Sequence, residues 1–335
     1  MAAVLLTGAS GFVAKHVALR LLQEGHAVRA SLRNPARQAE LVEALAPHLA
    51  PGAIDRLSFA TLDLTRDEGW SEAAAGCEAL VHTASPFPIA QPKDADVLIR
   101  PAVEGTRRAL TAAAAAGIRR VVMTSSTVAV LSGFRDSHVS TEDDWADADG
   151  PPPHPYARSK VMAEREAWAI AGREGLRLTT INPSFILGPP LDAHYGSSIN
   201  VVRRVLRGRD PMLPKIGFPV VDVRDVALAH VRALERPETE GQRLIASAGS
   251  LWLSDWGRIL KAVWPDRRMP TRAAPKVFLR LLALFDGEVR AALPGVGHME
   301  RVSSDKARRL LGIEFNPADK ALVAAAKVLV SRGMV

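Results

Sequence analysis

Val4-Leu5-Leu6-Thr7-Gly8-Ala9-Ser10-Gly11-Phe12-Val13-Ala14 sets a short apolar strand directly against a glycine turn. A helical pattern follows, with Val13, Val17, Leu21 and Leu22 on one face, and ends at Gly25. Strand, turn and helix in that order is the context in which a glycine motif acquires meaning. Gly8 permits the tight turn. Gly11 lets a pyrophosphate approach the backbone at the helix N-terminus, where unpaired amides and the helix dipole favour an anion. A third small residue is needed where helix meets strand, and Ala14 fills that place. A purely structural strand-to-helix turn is the competing reading.

Working outward, His26 to Leu32 reads as a second strand, whose end should face the adenosine ribose of a dinucleotide. Between Gly25 and Ala39 no Asp or Glu occurs; Arg33 and Arg37 stand there instead. Guanidinium donors suit a 2′-phosphate and a carboxylate would repel it, so the pattern points to NADP over NAD, unless both arginines merely cover surface. A third strand, Leu57 to Leu62, ends in Asp63-Leu64-Thr65, where an adenine could lie. A fourth, Glu78 to His82, ends in Thr83-Ala84-Ser85-Pro86-Phe87, small enough at first to leave room for a cofactor; His82 reads as a packed strand residue. A helix from Asp94 to Ala116, closed by Gly117, precedes a fifth strand, Arg119 to Thr124, running into Ser125-Ser126-Thr127. Those hydroxyls either satisfy local backbone or aim into a site. A sixth strand, Leu176 to Ile181, runs into Asn182-Pro183-Ser184. Successive βα units predict an open α/β architecture, a Rossmann-type doubly wound parallel sheet with helices on both faces.

Between the fifth and sixth strands lie a polar loop, Ser132 to Gly150, the run Pro151-Pro152-Pro153, and a helix reaching Gly172 that carries Tyr156-Ala157-Arg158-Ser159-Lys160. Residues four apart share a helix face one turn from each other, so an ammonium can stand beside a phenol. A free phenol, with a pKa of about 10, is a poor acid and poorer base near neutrality. A fixed positive charge stabilises the phenolate and moves the group toward its working range. Tyr156 is one of two tyrosines; Tyr195 is the other. Arg158 and Ser159 read as helix surface or packing.

The 335 residues are enough for one large domain or two unequal ones, and 47% hydrophobic with 24% charged residues is a globular profile. The net charge of +7 is spread along the chain without a basic run or aromatic interleaving, against nucleic-acid binding. The single cysteine, Cys77, excludes an internal disulfide or a cysteine-built metal site, and the nine histidines lack ligand spacing, so no metal is expected. The N-terminus runs straight into the first strand and no apolar run spans a bilayer, so we expect a cytoplasmic protein with no membrane partner.

Beyond residue 184 loops lengthen and short elements alternate, giving helices near Ile199 to Arg207, Val223 to Leu234, Leu253 to Val263 and Ala274 to Phe285. Strands lie near Val220 and from Arg243 to Ala248, and two amphipathic helices, Ser303 to Leu311 and Ala318 to Val330, close the chain. The expected organisation is a dinucleotide-binding domain over 1–184 and a smaller C-terminal α/β substrate-binding domain over 185–335, with some segments returning to the sheet.

Taken together, T-G-A-S-G-F at 7–12, Arg33, Asp63-Leu64, H-T-A-S-P-F at 82–87, T-S-S-T at 124–127, Y-A-R-S-K at 156–160, I-N-P-S at 181–184 and V-D-V-R-D-V-A at 221–227 resemble the extended short-chain dehydrogenases/reductases. The branch they look most like is that of dihydroflavonol reductases, cinnamoyl-CoA reductases and methylglyoxal (ketone) reductases. The resemblance covers nearly the whole chain. It implies catalytic roles for Ser126, Tyr156 and Lys160, and a phosphate loop from Thr7 through Gly8, Ser10 and Gly11 with Phe12 and Val13 beyond. It implies NADP selection by Arg33 and Arg37, an adenine place at Asp63 and Leu64, and contacts to the nicotinamide half from Thr83, Ala84, Ser85, Pro183, Ser184 and Phe185, with Lys160 gripping its ribose. Two departures are Ala14 for the family's third glycine and Arg100 where the family often has Asn or Asp.

The implied activity is NADPH-dependent reduction of an aldehyde or ketone, with Ser126 holding the carbonyl, Tyr156 giving the proton and Lys160 tuning the phenol. Phe87, Phe134, Phe185 and Tyr195 are candidate walls for an apolar or aromatic substrate, and each reads equally as core. Sugar-nucleotide epimerases and dehydratases share the fold and triad, but they retain NAD, and dehydratases carry Asp-Glu where this chain has Val128-Ala129. A non-catalytic dinucleotide sensor is a third reading. Family analogy allows a monomer or a homodimer.

Overall fold

The computed structural model describes the chain except residues 87–93, 132–137, 148–154 and 286. Its first half contains β1 (Ala3–Thr7), α1 (Phe12–Gln23), β2 (Ala27–Leu32), α2 (Gln38–Leu45), β3 (Leu57–Thr61), α3 (Trp70–Ala74), β4 (Ala79–His82), α4 (Asp96–Ala115) and β5 (Arg120–Thr124). Then come β6 (Val139–Ser140), α5 (Pro155–Glu174), β7 (Arg177–Pro183), β8 (Phe185–Leu187), α6 (Ser197–Arg207), β9 (Leu213–Pro214), β10 (Gly217–Asp222) and α7 (Val223–Glu235). The chain ends with β11 (Gln242–Ala246), β12 (Ser250–Trp252), α8 (Leu253–Lys261), β13 (Ala273–Ala274), α9 (Lys276–Leu282), α10 (Gly287–Ala292), β14 (Arg301–Val302), α11 (Asp305–Leu311) and α12 (Ala318–Ser331).

Seven strands form one sheet in the order β11-β7-β5-β4-β1-β2-β3, every neighbour parallel. Side chains alternate across a strand, and β1 uses both faces. Val4 and Leu6 enter a core with α1 and α7, whereas Leu5 enters a second core with α4 and α5. This is the doubly wound α/β fold the βα rhythm predicts. Strand order reverses beside β1, which pairs with β2 on one side and β4 on the other. The crevice at the carboxyl ends of those strands is where such sheets bind ligands.

One residue, Ser184, separates β7 from β8, so the chain passes directly from the large sheet into a smaller one ordered β12-β10-β8. Leu187, Val202, Trp256 and Leu322 build a third core beneath it. The chain then returns. Asp222 caps α7 through its carboxylate, accepting from the Arg224 amide at 2.9 Å, and β11 joins β7 at the sheet edge. The polar loop after β5 contains β6, which pairs with β14 from near the chain end, a long-range partner that local periodicity does not reveal. Among the described residues no helix is long and apolar enough to cross a membrane.

Candidate active site

A cavity of about 870 Å³ lies against the carboxyl ends of β1, β4, β5 and β7. Its phosphate-loop wall is Gly8, Ser10, Gly11, Phe12, Val13 and Ala14. Gly8 has φ +70°, and a Cβ there would meet the Ala84 Cα at 2.9 Å, so both its conformation and the close approach of the β4 loop require glycine. Gly11 precedes α1 in extended backbone, and no side chain caps the helix. The first amides of α1 therefore remain available at the cavity. Ala14 is buried where helix meets strand.

Thr7 ties the two central strand ends together. Its Oγ1 accepts from the amides of Thr83 and Ala84, both at 3.1 Å, and lies 2.8 Å from His82 Nδ1. With both lone pairs engaged, its proton points to Nδ1. Burial pushes His82 down to about 3, so the ring stays neutral and structural.

Ser126, Tyr156 and Lys160 all line this cavity. Ser126 begins a 3₁₀ turn, Thr127–Ala129, and its Oγ accepts from the Val128 amide at 3.3 Å. Its side chain also hydrogen-bonds the Tyr156 hydroxyl. The turn thus aims one of the strand-end hydroxyls at the α5 phenol. Lys160 Nζ lies 5.9 Å from the Tyr156 ring centroid, as one helical turn requires.

The electrostatics correct the simple expectation from spacing. Burial pushes the Tyr156 phenol up to about 12, opposed only by the Ser126 hydrogen bond. Burial likewise pushes Lys160 down to about 8, with the charge of Glu164 opposing it. Spacing alone does not fix the net shift, because the hydration lost on burial outweighs what favours the phenolate.

Behind the triad stands a network that the sequence reading missed. Glu164, fully buried on α5 one turn beyond Lys160, accepts from Ser125 Oγ at 2.5 Å, Asn182 Nδ2 at 2.9 Å and Arg243 Nε at 2.7 Å. Asn182 also donates to the Ser126 carbonyl at 3.3 Å. Arg243, from β11, stacks on the Trp145 ring at 3.7 Å. The i, i+4, i+8 series Tyr156-Lys160-Glu164 was the available signal. Ser159, inside that series, is buried and donates to the Tyr156 carbonyl at 2.7 Å, which makes it packing.

Pro183, Ser184 and Phe185 form the opposite wall, and Ser184 Oγ is buried there without a hydrogen-bond partner among the described residues. Thr83 and Ser85 face the same space. An orphaned hydroxyl, an uncapped helix start and a cradle that excludes Cβ atoms are what a bound dinucleotide would satisfy, so the residues present fit one.

The adenine-side residues lie outside the cavity wall. Arg33 follows β2 and is exposed. Its charge helps hold the Asp63 carboxyl low, after the hydrogen bonds from Thr65. Leu64 packs onto Gly105 of α4. Arg37 is engaged by Glu40, with Nε donating to Oε2 at 2.8 Å. Glu40 also meets His194 Nδ1 at 2.9 Å and Lys15 Nζ at 3.8 Å, and buried Lys15 is paired with Asp192. Glu40, Asp192 and His194 hold their ligand atoms within 4.8 Å of one another, but Lys15 and Arg37 already neutralise the carboxylates.

Of the proposed substrate walls, Phe185 and Tyr195 line the cavity, and Phe87 and Phe134 lie outside the described residues. Phe218, Asn200, Arg203 and Glu300 also line it. Phe218 stands 4.7 Å from Phe185, ring to ring.

The sequence model of the NAD dependent epimerase/dehydratase family matches residues 4–248. The chain is 31% identical over 336 residues to cinnamoyl-CoA reductase 2 of Arabidopsis thaliana, covering 98% of this chain and 93% of that protein. It is 32% identical over 287 residues to dihydroflavonol 4-reductase of Hordeum vulgare, covering 81% and 77%. The structure of yeast methylglyoxal/isovaleraldehyde reductase complexed with NADPH superposes with a TM-score of 0.82 at 26% identity, covering 99% of this chain and all of that one.

Proposed function

The chain belongs to the NAD dependent epimerase/dehydratase family, and we propose that it is an NADPH-dependent reductase of an aldehyde or ketone. Its relatives named as reductases, and a like-folded reductase complexed with NADPH, support the oxidoreductase class and the cofactor. The observation that carries the reading is the Ser126–Tyr156 hydrogen bond, set beside buried Lys160 in the same cavity as the glycine loop. Residues 1–184 hold the cofactor in this reading. Residues 185–335 mainly cover the substrate, with α7 and β11 returned to the large sheet.

Gly8, Ser10 and Gly11 would hold the pyrophosphate, Arg33 and Arg37 the 2′-phosphate, Asp63 and Leu64 the adenine side. Thr83, Ser85, Pro183, Ser184 and Phe185 would flank the nicotinamide. Bound NADPH supplies the hydride. Ser126 orients the carbonyl oxygen by a hydrogen bond and strengthens it as negative charge develops. Tyr156, pushed up to about 12, is protonated at neutral pH and so carries the proton that the developing alkoxide, a stronger base than the phenolate, takes up. Once its proton has passed to the alkoxide oxygen, the Lys160 ammonium stabilises the phenolate left behind.

The test is consumption of NADPH, against NADH, with a panel of aldehydes and ketones. Tyr156→Phe should lose roughly 10²–10⁴-fold in turnover while keeping its NADPH dissociation constant. Wild-type turnover by that variant would overturn the assignment. Copurified NAD without net cofactor consumption would point instead to an epimerase.

A further inference from the structure

The reacting groups account for one part of the cavity and leave a carboxyl in its wall unexplained. Glu300 lines the same space as Tyr156, Tyr195 and Phe218. Its main chain is held from two sides, with its amide donating to the Gly217 carbonyl at 3.1 Å and its carbonyl accepting from Ser250 Oγ at 2.8 Å. The adjoining Met299 packs so closely on Gly217 that a Cβ there would clash with its sulfur. Position 300 is thus fixed by β10 and β12, and the side chain is presented rather than adrift.

That side chain has no hydrogen bond and no ion pair among the described residues, and burial alone pushes it up to about 7. Glu300 is half-buried, and a partly desolvated carboxyl without a partner that faces a ligand cavity gains a hydrogen bond when a ligand completes it. The surroundings narrow the ligand. The Phe185–Phe218 pair supplies an apolar wall, so the body of the ligand is apolar. Arg203 and buried Lys160 also face the cavity, which disfavours a cationic ligand, and Glu300 itself disfavours an anionic one. A neutral hydrogen-bond donor remains.

We propose that Glu300 accepts a hydrogen bond from a hydroxyl carried by the carbonyl substrate away from its reacting carbon, making hydroxylated, otherwise apolar aldehydes or ketones the substrate class. This rests on the reductase reading above. A site built to hydrogen-bond a hydroxyl rejects the analogue lacking it, because its own polar group is left unpaired.

The experiment compares kcat/KM for benzaldehyde with those for its 2-, 3- and 4-hydroxy derivatives, with NADPH, in wild type, Glu300→Leu and Glu300→Gln. Each result is read as the hydroxy-to-parent ratio within one protein, so any loss of folded enzyme cancels. The expected result is a wild-type ratio at least about tenfold higher than that of Glu300→Leu for one or more isomers, with Glu300→Gln between them. Ratios unchanged by Glu300→Leu overturn the inference and leave the reductase reading standing. Wild-type failure to oxidise NADPH with every aldehyde and ketone tested overturns both.

Discussion

Tyr156 and Lys160 show two effects in competition. Proximity of an ammonium favours the phenolate, while removal from water disfavours the charged form of both groups. At these positions burial wins, leaving the phenol near 12 and the ammonium near 8. The sign of the pH dependence follows. Tyr156 stays protonated throughout the accessible range and sets no limb there. Lys160 is charged below about 8 and loses its proton above it, so carbonyl reduction should fall as pH rises through about 8. A pH profile of kcat/KM checks this; a rate flat to pH 10 would contradict the role given to the ammonium. Lys160→Met should lack the limb altogether.

On α5, one helix face carries acid, ammonium and carboxylate in successive turns, and the third member binds three other elements. Ser125 follows β5, Asn182 is on β7 and Arg243 is on β11, and all three converge on Glu164. Removing one partner of a buried ion pair strands the other, at about 3–5 kcal/mol. Glu164→Leu should therefore lower the urea midpoint by an amount equivalent to that loss. Glu164→Gln keeps hydrogen-bonding capacity but removes the charge that holds Lys160 up, so its alkaline limb should move below that of wild type. A limb that does not move would mean that Glu164 acts on the triad only through packing.

Across the whole molecule, the first half grips the loop before α6 through a buried charge. Lys15 on α1 pairs with Asp192 and donates to the His194 carbonyl at 3.1 Å, next to cavity residues Tyr195 and Gly196. Asp192→Ala should destabilise the fold by roughly 3–5 kcal/mol and loosen that wall, raising KM more than it lowers kcat. Lys15→Met combined with Asp192→Leu should recover most of the stability, since an apolar pair of similar volume avoids the desolvation cost. Chemical denaturation of wild type and the two variants measures both changes in stability, and steady-state kinetics of Asp192→Ala measures the change in KM. A double variant as weak as the single one would show that the pair is not the source of the loss.

The parallel sheet, the glycine loop and the Tyr156–Lys160 spacing were legible in the sequence because each depends on local rules: apolar runs, positive-φ glycines and the helical repeat. The α/β class followed from the order of those elements. What the sequence could not supply was long-range: the Glu164–Arg243 pair, 79 positions apart, the Lys15–Asp192 pair, 177 apart, and the pairing of β6 with β14. Nor could it supply the direction in which Tyr156 shifts. Desolvation depends on how completely neighbouring elements exclude water, which is a property of the packed fold and not of residue spacing.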